Sequence, residues 1–475
     1  MTSPTGTATV ATTDVICLGE SMVTFLPSRP GRLADVPSFA RAIGGAESNV
    51  ACALAAIGHR VRWVSRVGVD GFGDHLIEAI AAYGVDTSAV SRDPRRPTGI
   101  YFRTATDRSA ATHEVVYYRA GSAASAMSPK TVPYADVTSA RVLHLSGITA
   151  ALSADCLALM HELTAPRAGR PLVSFDINHR PGLWRDASGA RVLLELARGA
   201  DLVFVGEDEA EAAWGLRGAE AIREALPEPA MLVVKQGGRG AIVFAAEGDG
   251  DDRVPARTTT ADQAPEDQTS PGTLAVGAGS DRPRGTTDAP AADATATASG
   301  NTALGGMTSR TDQAAEPRPA APASPDGGTP PAPRPDTGRD GTAAETVLLA
   351  PSSTRHSRAF GAGHASSRPL GSIGGRSDTV TFVPAPKVEI IAAVGAGDAF
   401  AAGFLSGTLR GLPIKERIRH GHLLAAAALT VPGDVGQPPA TAHADRLAAL
   451  DDAGWERLRL GPGWTSAVHE EVRTP

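Results

Sequence analysis

Residues 389–404 read EIIAAVGAGDAFAAGF, and this stretch organises the interpretation of the whole chain. An apolar run ends at Gly395 and Gly397, and a segment of helix-forming residues begins at Asp398. A strand, a glycine turn and a helix in this order direct free backbone N–H groups and the positive end of the helix dipole toward an anion. The stretch therefore predicts an anion hole at Gly395, Ala396 and Gly397 that suits a phosphoryl group.

Asp398 lies directly at the mouth of this predicted anion hole. A carboxylate there would repel a phosphate unless it takes a proton from an attacking hydroxyl. The alternative is an ordinary helix cap, because Asp is a preferred capping residue. Residues 276–281 repeat almost the same string, VGAGSD, but RPRG follows and starts no helix. The short motif alone does not decide between the two interpretations, so the other motifs must.

Composition limits the possible functions. The chain has 475 residues, 42% of them hydrophobic, which suffices for one large domain or two ordinary ones. A net charge of -7 and a pI near 6.0 argue against nucleic-acid binding. Cys17, Cys52 and Cys156 lie in apolar surroundings, which favours reduced thiols. With no signal peptide and no membrane-length apolar run recognised, we expect a cytoplasmic protein without a membrane partner.

A second glycine motif lies near the N-terminus. Gly44 and Gly45 precede an Ala- and Leu-rich helix that carries Asn49 one turn in. Backbone N–H groups and one side-chain amide in this arrangement can hold a polar ligand. A tight turn with a buried Asn is the alternative.

Two short β-rich segments, 98–103 and 113–119, predict a hairpin of half-exposed strands. Three of the five tyrosines fall in these segments, beside two arginines. The functional interpretation is a lid in which Tyr101, Tyr117 and Arg119 hold a small acidic molecule. The alternative is ordinary strand aromatics.

From residue 141 onward, short Val- and Leu-rich strands alternate with helices. This repeat predicts a mostly parallel sheet covered by helices on both faces, with ligands at the carboxyl ends of the strands. Polar clusters follow three of the predicted strands. They are DINHR at 176–180, GEDE at 206–209 and KQGGRG at 235–240. Any one could be a solvated loop, but three that converge with Gly395 predict a site.

Residues 247–378 consist mainly of Ala, Thr, Pro, Gly, Asp and Arg. Such a segment buries too little apolar surface to offset its ordering entropy, so we predict a disordered insertion. Strand-like residues at 241–245 and 379–383 flank it, which places it in a surface β-hairpin. The predicted domain therefore comprises 14–246 and 379–440, with lid strands within about 15–45 and 98–122, and 441–475 is predicted to be a C-terminal helix and tail.

The order of these motifs resembles the ribokinase-like (PfkB) carbohydrate kinases, over roughly residues 15–246 and 379–439. The Gly44, Gly45 and Asn49 element resembles the first family signature, and VGAGDAFAAG at 394–403 resembles the second. YYRAGSA at 117–123 and DINHRPGLW at 176–184 are similar to 2-keto-3-deoxygluconate kinases. The resemblance implies an α/β three-layer sandwich with a small β-sheet lid. It also implies ATP, Mg²⁺ and phosphorylation of the terminal hydroxyl of that sugar acid, in the Entner–Doudoroff route.

The resemblance also implies roles for single residues. Asp398 is the expected general base, and the N–H groups of Gly395, Ala396 and Gly397 are expected to stabilise the transferred phosphoryl group. The residues expected to contact the sugar acid are Gly44, Gly45, Asn49, Tyr101, Tyr117, Arg119 and Arg180. The residues expected on the nucleotide side are Asn178, Lys235, Gly237, Gly238 and Gly240. Glu209 is expected to act on Mg²⁺ through a water, and a homodimer that pairs through the lid is expected.

Two positions depart from the family pattern. Many relatives have Asp where this chain has Ala392, which is expected to weaken either a monovalent-cation site or the support of the helix turn. Many have Asn at the position of Gly206, and its loss is expected to loosen the water on the metal. Three rival functions remain: a kinase of fructose, tagatose, ribose or a nucleoside, a Rossmann oxidoreductase, and a non-catalytic sugar-acid-binding protein. The oxidoreductase is disfavoured because its glycine turn should follow the first strand.

Overall fold

The computed structural model describes residues 13–104, 113–184, 188–246, 345–349, 367–369 and 377–466. In these ranges the strands are β1 (Thr13–Leu18), β2 (Met22–Pro27), β3 (Phe39–Gly44), β4 (Val61–Gly68), β5 (Val90–Asp93), β6 (Ile100–Arg103), β7 (His113–Tyr118), β8 (Ala140–Ser146), β9 (Leu172–Asp176), β10 (Leu202–Gly206), β11 (Met231–Lys235), β12 (Gly240–Ala246), β13 (Glu345–Leu349), β14 (Ser367–Pro369), β15 (Asp378–Pro384), β16 (Lys387–Val388) and β17 (Arg459–Leu460). The helices are α1 (Ala46–Ala56), α2 (Gly71–Ala81), α3 (Tyr134–Val137), α4 (Gly147–Ala151), α5 (Ala154–Thr164), α6 (Ser188–Arg198), α7 (Glu207–Trp214), α8 (Ala219–Ala225), α9 (Ala396–Leu409), α10 (Ile414–Leu429), α11 (Thr441–Ala448) and α12 (Asp452–Arg457).

The central sheet has the strand order β14-β15-β12-β11-β10-β9-β8-β1-β4-β5. From β11 to β5 every neighbouring pair is parallel, while β12, β15 and β14 add antiparallel strands at one side. Strands β10 and β11 are apolar up to their last residue because both faces of the sheet are covered there. In β1, Val15 and Cys17 join one core, whereas Ile16 and Leu18 join the other.

Helices form the two outer layers. One core contains buried side chains of α1, α2 and α9–α12, including Phe400, Phe404 and Trp455. The other core contains buried side chains of α3–α8, including Leu159 and Leu193. The predicted three-layer α/β architecture with a mostly parallel sheet is therefore confirmed.

The lid is a separate small sheet with the strand order β13-β7-β6-β2-β3. The predicted hairpin is formed by β6 and β7, in which Tyr101 lies opposite Tyr117. Phe102 stacks on Phe25 with ring centroids 4.6 Å apart. The predicted β-sheet lid is confirmed.

The range predicted to be a disordered insertion begins and ends in adjacent antiparallel strands. Ala246 at the end of β12 lies opposite Asp378 at the start of β15, as the flanking patterns predict. Most of the range 247–378 lies outside the described residues. Two described segments within it form strands: β13 pairs with β7 of the lid, and β14 pairs with β15.

The C-terminal segment contributes to the core. Residues from 441 were predicted to form a helix and tail, and the described part contains α11, α12 and β17. Trp455 is only 1% exposed and donates its indole N–H to the Pro384 carbonyl at 2.8 Å. Residues 467–475 lie outside the described ranges. Within those ranges, no helix is both long enough and apolar enough to cross a membrane.

Candidate active site

The carboxyl ends of three parallel strands meet at one edge of the central sheet. Asp176 ends β9, Gly206 ends β10 and Lys235 ends β11, and Gly206 lies directly opposite Lys235. The three polar clusters predicted from the sequence therefore lie together, because the carboxyl ends of parallel strands share one edge.

Asp398 lies in the first turn of α9, at the same edge. The preceding Gly395 has a φ of 78°, which favours glycine because a side chain there would be strained. A Cβ at Gly395 would also overlap the Asp434 carbonyl oxygen. The left-handed turn thus leads the chain into a helix whose first N–H groups are free to bind an anion.

Asn49 fixes the orientation of Asp398. The Asn49 side-chain N–H donates to the Asp398 carboxylate at 2.8 Å, across 349 positions of sequence. The sequence predicts Asn49 as a substrate contact, and the structure places it against the predicted base. Its own side-chain oxygen is buried and has no hydrogen-bond partner among the described residues.

Electrostatics favour a proton-accepting role for Asp398. Burial raises the pKa of Asp398 to about 7, and Asp176 adds to the shift, while Asn49, Lys235 and Arg180 oppose it. A carboxylate whose pKa is near the working pH accepts a proton well, and about half of the molecules still carry it as a base. The side chain is half-buried, so a bound hydroxyl can reach it.

Lys235 forms a close ion pair with Asp176. Its ammonium lies 2.8 Å from one Asp176 oxygen and 3.1 Å from the other. Burial alone would lower the pKa of Lys235, but Asp176, Glu209 and Asp398 together raise it, so the lysine stays charged. A methyl group added to Gly397 would lie 3.5 Å from the Lys235 nitrogen, which places this cation beside the predicted anion hole.

Glu209 lies in the first turn of α7. Its carboxylate accepts the Gly206 N–H at 2.9 Å and a guanidinium N–H of Arg180 at 3.3 Å. The Glu209 side chain is 16% exposed and that of Arg180 is 49% exposed, so both reach the open cleft. Three acidic residues in this turn suit the positive helix end.

The lid brings its predicted residues together. The rings of Tyr101 and Tyr117 are 5.4 Å apart, and the Arg119 guanidinium lies 5.6 Å from the centre of the Tyr117 ring. Arg119 is 8% exposed and forms an ion pair with the buried Glu20. The Glu20 carboxylate also accepts the Ser122 hydroxyl at 2.6 Å. Arg119 is thus held within the protein, while Arg180 faces the cleft.

The sequence does not predict Asp434, yet this residue joins the lid to the Gly395 turn. Its carboxylate accepts the Tyr101 hydroxyl at 2.6 Å and pairs with Arg103 at 3.0 Å. Its backbone carbonyl packs against Gly395, and a Cβ at Gly44 would overlap the Tyr101 hydroxyl. The only signal in the sequence is an Asp after the Pro-Gly pair that follows α10, which also fits an ordinary turn.

The predicted nucleotide-side residues differ in accessibility. Gly237 and Gly238 are exposed and have open space around them, so a ligand can approach their backbone. Gly240 is buried in β12, where a Cβ would overlap the Val383 carbonyl oxygen. Asn178 is 5% exposed and has a φ of 42°, an uncommon conformation for a residue with a side chain.

The predicted departure at Ala392 is visible in the structure. Ala392 is 2% exposed, and its N–H bonds the Leu429 carbonyl at 3.3 Å. Its methyl side chain offers no oxygen to a cation, so this position does not fit a monovalent-cation site. Among the described residues, no group of three or more His, Cys, Asp and Glu side chains could hold a metal ion by itself.

These features define an enzyme class. An oriented carboxylate with a raised pKa, a glycine turn at a helix N-terminus and an adjacent lysine suit phosphoryl transfer to a hydroxyl group. The lid of tyrosines and arginines over the same edge suits a small polar acceptor.

Comparison with known proteins identifies the family. A model described as pfkB family carbohydrate kinase matches residues 12–262 and 369–441. The chain belongs to this family of carbohydrate kinases.

Named relatives are of two kinds. The chain is 35% identical over 234 residues to the 2-dehydro-3-deoxygluconokinase of Thermoproteus tenax, which covers 48% of this chain and 71% of that protein. It is 36% identical over 214 residues to the 2-dehydro-3-deoxygluconokinase of Bacillus subtilis (strain 168), which covers 44% of this chain and 65% of that protein. Fructokinase-1 of Oryza sativa subsp. japonica is 29% identical over 238 residues, 49% of this chain and 73% of that protein.

Solved structures share the fold. The 2-dehydro-3-deoxygluconokinase of Thermotoga maritima aligns with a TM-score of 0.55 at 18% identity, over 92% of this chain and all of that one (100%). A Xylella fastidiosa fructokinase with bound ATP aligns with a TM-score of 0.55 at 18% identity, over 91% of this chain and 97% of that one.

Proposed function

We propose that this kinase transfers the γ-phosphoryl group of ATP to the terminal hydroxyl of 2-keto-3-deoxygluconate, giving 2-keto-3-deoxy-6-phosphogluconate and ADP. The observation that carries the proposal is Asp398, held by Asn49 at 2.8 Å beside the Gly395 turn. The relatives named 2-dehydro-3-deoxygluconokinase support the acceptor.

Asp398 acts as the general base. It accepts the proton of the acceptor hydroxyl while that oxygen attacks the γ-phosphorus in line with the departing ADP. The N–H groups of Gly395, Ala396 and Gly397 stabilise the negative charge on the transferred group. The lid of Tyr101 and Tyr117 excludes water, which would otherwise compete as acceptor.

The acceptor carboxylate is bound by Arg180. Its half-exposed guanidinium lies within the electrostatic field of Glu209, Asp398 and Tyr117, at the edge where the acceptor must bind. A planar guanidinium can bind a carboxylate through two parallel hydrogen bonds. Arg119, which is buried against Glu20, acts on the acceptor through the position of the Tyr117 ring.

Mg²⁺ would reach the site with ATP. It is usually held by one or two carboxylates together with substrate phosphates, which fits a site where Glu209 supplies a partly exposed carboxylate beside Arg180. Glu209 would hold the ion through a water, and the bound ion neutralises phosphate charge. Pairing of two copies through the lid remains part of the proposal.

The test is to incubate the protein with ATP, Mg²⁺ and each sugar of a small panel, and to measure phosphorylation as the release of ADP. We expect a preference for 2-keto-3-deoxygluconate over fructose, ribose, tagatose and adenosine. Preference for fructose would instead favour the function named for the plant relatives and would contradict the role given to Arg180.

A further inference from the structure

The Lys235 ammonium lies beside the first turn of α9, where the anion hole is proposed. It ends β11, and its ammonium lies 2.8 and 3.1 Å from the two oxygens of Asp176. Gly397 lies in the first turn of α9, and a methyl group added there would be 3.5 Å from this nitrogen. Gly237 and Gly238, which follow β11 in the chain, are exposed.

Within the part of the chain that the structure describes, the Lys235 ammonium has a donor left for a ligand. An ammonium carries three N–H donors, and the two contacts with Asp176 occupy two of them. The side chain is 17% exposed, so it is neither fully enclosed nor open to bulk solvent. A charged donor in such a partly dry environment interacts more strongly with a phosphoryl oxygen than it would in water.

We propose that the Lys235 ammonium binds the γ-phosphoryl group during its transfer, and that Asp176 is the positioning residue that holds the ammonium there. This inference rests on the proposed phosphoryl transfer but not on the identity of the acceptor sugar. The bond between the γ-phosphorus and the bridging oxygen of ADP breaks as the bond to the acceptor oxygen forms. The acceptor proton passes to Asp398, and Lys235 keeps its own proton throughout.

The two residues affect Asp398 in opposite directions. The groups that face Asp398 are Asn49 from α1, Asp176 from β9, Arg180 from the segment after β9 and Lys235 from β11. Asp176 raises the pKa of Asp398, and Lys235 lowers it. Removing the lysine charge should therefore move the acid limb of the kcat profile to higher pH, and removing the aspartate charge should move it to lower pH.

The decisive experiment compares binding of ADP with binding of ADP plus aluminium fluoride and Mg²⁺, which imitates the transferred group. We expect Lys235→Met to leave ADP affinity within about 2-fold of wild type. It should weaken binding of the aluminium fluoride complex and lower kcat by about 100- to 1000-fold, as for loss of one charged donor. Lys235→Arg should restore part of the loss, and the exposed Lys130→Met is the matched control.

Asp176→Asn tests the positioning role. We expect Asp176→Asn to have a lower kcat and an ATP KM close to that of the wild type. Combining it with Lys235→Met should lower kcat no further than Lys235→Met alone, because both substitutions remove the same ion pair. Thermal unfolding shows whether each variant folds. If Asp176→Asn does not fold, Lys235→Met and Lys235→Arg still test whether Lys235 binds the transferred group.

The inference would be overturned if Lys235→Met weakened the binding of ADP and of the aluminium fluoride complex equally and left kcat unchanged. Lys235 would then contact the nucleotide but not the transferred group. If the wild type phosphorylated only a neutral sugar, the proposed substrate would be wrong, and the same comparison would still test Lys235 with that sugar.

Discussion

Asp398→Asn should both inactivate the enzyme and stabilise its fold, and the two effects have one cause. The substitution keeps the size and one oxygen of the side chain, so the amide of Asn49 still has an acceptor 2.8 Å away. It removes the proton-accepting carboxylate, and kcat should fall by about 100- to 10,000-fold. The anion hole and the lid do not depend on the carboxylate, so the ATP KM should change little.

The stability gain follows from the raised pKa. Burial raises the pKa of Asp398 from 3.8 to about 7, so the folded state holds a proton that the unfolded state releases between these values. Below the pKa of the unfolded state, the carboxyl group is protonated in both states and does not lower the free energy of unfolding. The destabilisation grows as the pH rises and is complete above about 7, where three pKa units correspond to about 4 kcal/mol. Because the side chain is only half-buried, solvent screening reduces this to about 1–2 kcal/mol.

Urea unfolding between pH 5 and pH 8 measures the effect, and ADP release measures activity. We expect the variant to gain stability relative to wild type as the pH rises, with Asp155→Asn on the exposed face of α5 as a matched control that shows no such trend. Turnover above a tenth of wild type, or a stability difference that stays constant with pH, would refute the role of Asp398 as a buried base.

Four further predictions concern Arg180, Arg119, Arg223 and the K⁺ requirement. Arg180→Met should raise the KM for the keto-deoxy acid by about 10- to 100-fold in initial-rate assays, whereas the KM for a neutral sugar, if one is accepted, should not change. Arg119→Met should instead destabilise the fold, because it leaves the buried Glu20 carboxylate without its charged partner. Arg223→Met should lower the free energy of unfolding by about 3–5 kcal/mol, because it leaves the buried Asp378 carboxylate without its charged partner. In the wild type the Arg223 guanidinium donates to the two Asp378 oxygens at 2.7 and 2.9 Å. An unchanged urea midpoint would contradict this prediction. Replacing K⁺ by choline should change kcat by less than about 2-fold, since the buried Ala392 offers no side-chain oxygen; a strong K⁺ requirement would show that backbone oxygens suffice.

The central sheet could be predicted because its signals are local. Short runs such as 202–205 and 231–234 are apolar at every position, which is typical of strands covered on both faces. The parallel arrangement then places Asp176, Gly206 and Lys235 at one edge, and the structure has them there. The adjacent strands 241–245 and 379–383 were predicted from their composition despite the long segment between them.

The partners of the site side chains could not be predicted, because they depend on contacts between distant segments. Asp434 meets Tyr101 across 333 positions, and no spacing in the sequence relates them. Arg119 and Arg180 look alike as pocket arginines in the sequence, but one is buried in an ion pair and the other is half-exposed. The contact between Asn49 and Asp398 likewise appears only when α1 and α9 pack together.

The proposed substrate is tested by measuring ADP release from ATP and Mg²⁺ with 2-keto-3-deoxygluconate and, in parallel, with fructose, for the wild type and Arg180→Met. We expect a strong preference for the keto-deoxy acid in the wild type and its loss in the variant. Equal or greater activity with fructose, unaffected by the substitution, would contradict the proposed substrate and the role of Arg180 in binding its carboxylate.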